Sequence, residues 1–181
     1  MPKKIIQKEN KVLREAVKDL PVKDIKSLRI QKIIKEMSSA LASQSDGVAI
    51  AAPQIGYSLP IFLVSGRIFH KDFVRGKTDF EKIPNEEVPK DLVFINPKIL
   101  RLSREKEWVP EGCLSVRWLY GKTYRSKKAT IKAYDENGKK IERGASGLLA
   151  QIFQHETDHL KGILFIDHAK EIKEELPNSI K

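Results

Sequence analysis

Two histidines four residues apart, His155 and His159 in the stretch Gln154-His155-Glu156-Thr157-Asp158-His159, constrain this chain more than any other feature. Positions i and i+4 of an α-helix lie one above the other on one face, so both imidazoles can reach a single point. Leu148 and Ile152 fall on the same stripe, which predicts a helix whose inward face carries the histidines into the core. Buried imidazoles need partners, and a shared divalent ion supplies one. Glu156 sits beside the pair, close enough to hydrogen-bond a water on such an ion and poorly placed to bind the ion itself. This is the H-E-x-x-H arrangement of two metal ligands and a general base, although so short a pattern also arises by chance on charged helices.

An open catalytic site needs a third protein ligand and one position left for water. The longer signature H-E-x-x-H-x-x-G-x-x-H is followed as far as Gly162, but its last position is Phe165, which cannot coordinate. The downstream carboxylates Glu171, Glu174 and Glu175 stand in a short, very polar tail. The third ligand is therefore expected upstream, where the chain's single cysteine, Cys113, lies in Glu111-Gly112-Cys113-Leu114-Ser115. One cysteine excludes an internal disulfide and leaves ligand, nucleophile or buried filler as its uses.

With E-G-C-L-S followed 42 residues later by Q-H-E-x-D-H-L-x-G, the sequence resembles the peptide deformylase family. A third stretch, Gly47-Val48-Ala49-Ile50-Ala51-Ala52-Pro53-Gln54, is similar to that family's G-x-G-x-A-A-x-Q motif, with Ala49 in place of the second glycine. The likeness runs from about Ile6 to Asp167 and keeps the three motifs in order. It implies that Cys113, His155 and His159 hold one divalent ion and that Glu156 moves the proton. It further implies that the Gln54 side-chain amide and the Leu114 backbone N–H meet the negative oxygen of the tetrahedral intermediate. The reaction implied is removal of the formyl group from the N-terminal formyl-methionine of new polypeptides, releasing formate. Two imidazoles and a thiolate accept Zn(II), Fe(II), Co(II) or Ni(II) without choosing among them; Fe(II) is the expected ion. Val48, Leu148 and Ile152 are candidates for an apolar pocket holding the methionine side chain, and Ala49 for the surface along which the peptide lies. At that departure the extra methyl either narrows the cleft, so that glycine would improve turnover severalfold, or points into the core from ordinary extended backbone. The family commonly has Pro-Gly soon after its cysteine motif; here Arg117-Trp118 follows instead, which leaves the shape of the outer substrate subsites open.

Two other classes fit the bare motifs. A general H-E-x-x-H peptidase would cleave unformylated peptides, and a basic ribosome- or RNA-associated protein would use its metal for structure alone. The 181 residues suit one catalytic domain, 1–181, with a full core. No apolar run approaches the roughly 18 residues of a membrane span and the first residues lead into no signal-peptide core, so a cytoplasmic, monomeric enzyme is expected. A net charge of +10 predicts weak, salt-dependent attraction to ribosomes, although the basic residues are scattered and no aromatic-basic motif stands out along the sequence.

The expected fold is α+β: antiparallel or mixed sheets packed around the C-terminal metal-binding helix, with N-terminal helices outside. Apolar spacing predicts helices over 10–20, capped by Asn10, and over 24–43, capped by Asp24. Strands are predicted at 61–64, at 92–96 ending before Pro97, and at 98–108, with a hairpin over 129–143 turning at Asn137-Gly138. Ser65–Lys90 reads as a long excursion carrying a surface His70, residues 117–121 as a rim loop, and the last residues as at most a small helix.

Overall fold

The computed structural model describes residues 1–71 and 88–176. Its centre is a five-stranded antiparallel sheet in the order β1 (Ala49–Ala51), β2 (Ile61–Val64), β3 (Leu92–Leu102), β6 (Lys128–Tyr134) and β7 (Lys140–Ser146). A second, three-stranded antiparallel sheet is ordered β4 (Lys106–Gly112), β5 (Leu119–Ser126) and β8 (Lys170–Glu174). The fold class is α+β, and every strand pairing among the described residues is antiparallel.

The central strands explain why their sequences are continuously apolar. Ile50, Ile61, Leu63, Val93 and Ile95 face α1 (Leu28–Ala42), whose Ile30, Ile33, Ile34, Met37 and Leu41 are buried against them. Ala49, Ala51, Phe62, Val64 and Phe94 face the other way, towards α2 (Gly147–Leu160). Alternation along each strand thus feeds two apolar layers, and a strand covered on both faces shows no polar side. Phe153 of α2 meets Phe94 edge-on at 5.2 Å, and Phe94 stacks on Phe62 at 4.7 Å. Such contacts add about 0.5–1.5 kcal/mol each beyond area burial and fix the helix on its sheet.

Several elements differ from the sequence reading. Asn10 does cap a helix, its side chain accepting from Val12 N–H, but that helix is a 3₁₀ turn ending at Arg14. Beyond it the backbone is committed elsewhere: Val17 N–H donates to Leu160 O at 3.0 Å, and Leu20 exchanges two hydrogen bonds with the Asn96 side-chain amide. The apolar spacing of 10–20 reflects burial of Leu13 and partial burial of Val17 and Leu20, without a helix. Asp24 closes a separate short turn, so Ser27 caps α1. Pro97 does not stop its strand, because the ladder with β6 shifts register between Ile95 and Lys98. Asn96 there takes a positive φ of 51°, so the missing proline N–H falls where the pairing is already interrupted. That strand ends at Leu102, and β4 is a separate strand.

In the hairpin only Gly138 adopts left-handed backbone, while the Asp135 carboxylate accepts the N–H groups of Asn137 and Lys139. His70 is buried, with 6% exposure, at the end of a 3₁₀ turn over Gly66–Phe69. The rest of the predicted excursion, including Phe73 and Phe80, falls largely outside the described residues. Leu119–Gly121 belongs to β5 rather than to a loop, and the tail forms strand β8 in place of a helix. Among the described residues no helix is long and apolar enough to cross a membrane.

Candidate metal centre and active-site cleft

Helix α2 delivers its residues to two different places. Ala150, Phe153, Gln154, Thr157 and Leu160 are buried, whereas Leu148, on the histidine stripe, is 40% exposed. The stripe of Leu148, Ile152 and His155 therefore lines a cleft and not the centre of the core. Gly162 ends the helix in left-handed backbone with φ of 74°, and a Cβ there would lie 2.6 Å from the backbone of Arg14. Only glycine satisfies both conditions.

Cys113 Sγ lies 3.2 Å from His159 Nε2, which lies 3.1 Å from His155 Nε2. One donor atom from each of the three residues falls within 4.8 Å of the others, and among the described residues this is the group of three or more such side chains that could hold an ion. His155 turns Nε2 towards the cluster because its Nδ1 is held by Glu111 Oε1 at 2.6 Å. That carboxylate–imidazole contact is the usual support behind a metal-binding histidine. Glu111 is in turn gripped by Arg125 through two contacts of 2.7 and 3.1 Å and by Thr123 Oγ1. Arg125 also reaches Asp158 Oδ2 at 2.7 Å. The residues present thus fit a divalent ion: a soft thiolate and two borderline imidazoles converge, and the outer support of His155 is already built, whereas the buried His159 Nδ1 has no hydrogen-bond partner among the described residues.

The electrostatics agree. Burial, aided by the neighbouring His155, holds the His159 pKa well below the ordinary histidine value, which favours a neutral ligand. Burial opposes charge on His155 as well, but hydrogen bonds with Cys113 and Glu111 outweigh it and hold that pKa well above the ordinary value. Coordination through Nε2 would expel that proton, so metal uptake releases acid. Glu111 is likewise buried, yet its bonds with His155 and Arg125 keep it far below the usual carboxylate range. Glu156 has no such support: it is 3% exposed, its Oε2 has no hydrogen-bond partner among the described residues, and burial raises its pKa to about 7.

Around the cluster opens a cleft of about 350 Å³. Val48 and Ala49 form one side, Gln54 and Leu114 the floor, and Leu148 and Ile152 the helix side. The Gln54 Oε1 accepts from Ala51 N–H at 2.8 Å, which aims its Nε2 at Ser115 Oγ and Cys113 Sγ, 3.2 and 3.5 Å away. Where the family's Pro-Gly is missing, the Arg117 guanidinium spans to both Asp46 carboxylate oxygens and to Gln44, joining the two rims of the cleft. Ala49 has no positive φ, and its 6% exposed side chain shares the cluster of Ala51, Phe62 and Val64. Ala49 thus borders the cleft and also packs beneath α2.

Residues 2–175 match the family model for polypeptide deformylase. This chain belongs to that family. The peptide deformylase 2 of Clostridium acetobutylicum is 37% identical over 159 residues, covering 88% of this chain and 89% of that protein. A solved peptide deformylase from Legionella pneumophila is 32% identical, with a TM-score of 0.76 over 94% of this chain and 88% of that one. A class I type b peptide deformylase from Acinetobacter baumannii, solved with Met-Ala-Ser bound, gives a TM-score of 0.76 at 25% identity, over 93% of this chain and 98% of that one. Peptide deformylases remove the formyl group from the N-terminal methionine of new polypeptides, and this chain is such an enzyme. The comparisons give no support to a general peptidase or to an RNA-associated protein with a structural metal.

Within this deformylase cleft, the structure brings together all ten residues singled out from the sequence, except that His159 lies beneath the cleft lining. What sequence reasoning missed is the support: Glu111, Thr123, Arg125 and Asp158. Glu111 was in plain view, two residues before Cys113, where strand alternation turns both side chains the same way, and an acid so near a candidate ligand was the available signal. Gln154 was missed too. Its amide bonds both the N–H and the carbonyl of Ser126, fastening α2 to the end of β5.

Proposed function

We propose that Cys113, His155 and His159 hold one divalent ion, Fe(II) by expectation, and that this single domain, 1–181, acts as a cytoplasmic monomer on N-formylmethionyl peptides. The observation that carries the reading is the convergence of three donor atoms within 4.8 Å beside a buried Glu156 oxygen that lacks a partner among the described residues. When bound, the ion supplies Lewis acidity towards a water and a carbonyl oxygen. Glu156 accepts the water's proton and returns it to the leaving amine, a task suited to a carboxylate whose pKa burial has moved to about 7. The Gln54 Nε2 and the Leu114 N–H donate to the oxygen that becomes negative. The edge of β1 that has no strand neighbour among the described residues offers its backbone to the peptide, as an added strand, while Val48, Leu148 and Ile152 surround the methionine side chain. The net charge of +10 supports weak, salt-dependent association with ribosomes.

The direct test is metal analysis of anaerobically purified protein, with hydrolysis of formyl-Met-Ala-Ser assayed on the same sample. One ion per chain and release of formate are expected; cleavage of unformylated or internal peptide bonds instead would end the proposal. Cys113→Ser should drop metal content well below one per chain, because a protonated hydroxyl replaces a thiolate. Full occupancy in that variant would remove Cys113 from the ligand set.

Ala49→Gly should leave kcat/KM unchanged and lower stability by about 0.5–1 kcal/mol, since ordinary extended backbone gains only entropy cost from glycine. A severalfold gain in kcat/KM would show instead that the methyl obstructs the peptide.

A further inference from the structure

The outer face of the three-stranded sheet carries an aromatic pair set among lysines, and deformylation makes no use of it. Trp108 on β4 stands directly opposite Tyr124 on β5. Their rings meet at 5.2 Å, yet they remain 45% and 52% exposed. Alternation places Lys106 and Lys122 on the same face, and Lys122 pairs across to Lys170 on β8. The Lys170 Nζ lies 4.9 Å from the centre of the Trp108 ring, and the Lys106 Nζ 5.8 Å from that of Tyr124. Trp108, Lys122, Lys170 and Glu171 line a shallow hollow, in which Glu171 pairs with Lys122 at 2.7 Å. Lys106 and Lys170 form no ion pair among the described residues, nor does Lys173, which pairs with Tyr120 further along β8.

A merely solvated sheet face has no need of two large, half-exposed rings. We propose that this face is a platform for single-stranded RNA, with bases stacking on Trp108 and Tyr124 and phosphates taken by Lys106, Lys170 and Lys173. The ammonium groups that now sit over the rings can turn to phosphates when a base takes the ring face. Stacking then adds to ion pairing instead of competing with it. The inference deepens the ribosome association proposed above and rests on it for the choice of RNA. It does not depend on the metal centre.

The test is fluorescence anisotropy of an RNA of about 12 uridines, titrated with the full chain from roughly 50 to 200 mM salt. Three phosphate contacts predict a log–log salt slope of about −2. Trp108→Ala should weaken binding about tenfold at unchanged slope, Tyr124→Ala should also weaken it, and Trp108→Phe should retain most of it. Lys106→Gln should flatten the slope by about 0.7. Formyl-peptide turnover by Trp108→Ala should match the wild type, which also certifies its fold. No binding at low salt overturns the proposal, as does wild-type affinity in both alanine variants. Polyglutamate that binds with the same dependence on Trp108 would assign the face to acidic protein. Salt-sensitive co-sedimentation with ribosomes that survives Trp108→Ala undiminished overturns the platform and leaves charge-driven association standing.

Discussion

Glu156→Gln should keep its metal and lose roughly 10²–10⁴ in kcat, the usual size of a general acid–base contribution. The glutamine fills the same space, and Glu156 makes none of the contacts that join Cys113, His155 and His159. Occupancy and turnover are therefore separable in this variant, whereas a ligand substitution changes both. A second readout comes from the metal-free protein. Burial raises the Glu156 pKa from the ordinary carboxylate value to about 7, so between those values the folded chain holds a proton that the unfolded chain has released. Stability of the metal-free wild type should consequently fall as pH rises from about 4.5 to 7, and Glu156→Gln should abolish that component. Near wild-type turnover with the metal in place would show that another group carries the proton.

Glu111→Gln should be the most damaging change outside the ligands themselves. The neutral amide leaves Arg125, whose side chain is 9% exposed, short of its main counter-charge, and removing one member of such a buried pair costs about 3–5 kcal/mol. It also weakens the hold on His155 Nδ1, for which loss of the outer partner lowers metal affinity about 10–100-fold. Chelator competition would measure the affinity, and denaturant unfolding the stability. The sign of the pH dependence follows from the depressed Glu111 pKa. Its contribution is complete above the ordinary carboxylate range and is lost only as pH falls through its far lower folded value. The variant should therefore differ most from wild type near neutrality and converge with it in strong acid. Metal affinity and stability both like wild type would mean that Arg125 and His155 find other partners.

The sequence made some of this legible because the physics was local. The i, i+3, i+4 spacing of Ile30, Ile33, Ile34, Met37 and Leu41 needs only a helix to become a buried face, and α1 follows it. His155 and His159 needed only one turn of helix to meet. Residues 15–20 were misread because their hydrogen bonds go to Leu160 and Asn96, far away in sequence, so spacing alone suggested a helix that the backbone does not form. Pro97 was misread for a related reason: a strand accepts proline where its ladder is already broken, and the break is a property of the pair β3–β6. The roles of Glu111 and Arg125 depend on strand pairing: Arg125 stands opposite Glu107, and its long side chain reaches along the shared face to Glu111. Likewise, Trp108, Tyr124 and Lys170 form one surface only after three strands assemble.

The three donor atoms come from two separate parts of the fold. Cys113 follows β4 of the small sheet, whereas both histidines ride on α2, which packs on the large sheet and is tied to the small one through Gln154 and Asp158. An ion held by all three is therefore a removable cross-link between residues 42 apart in the chain, with Glu111–Arg125–Asp158 as the permanent tie across the same seam. Occupancy then enters the folding equilibrium directly, adding RT ln(1 + [metal]/Kd) to the native state. Removing the ion would therefore be expected to lower the stability of the native chain as well as to stop its chemistry.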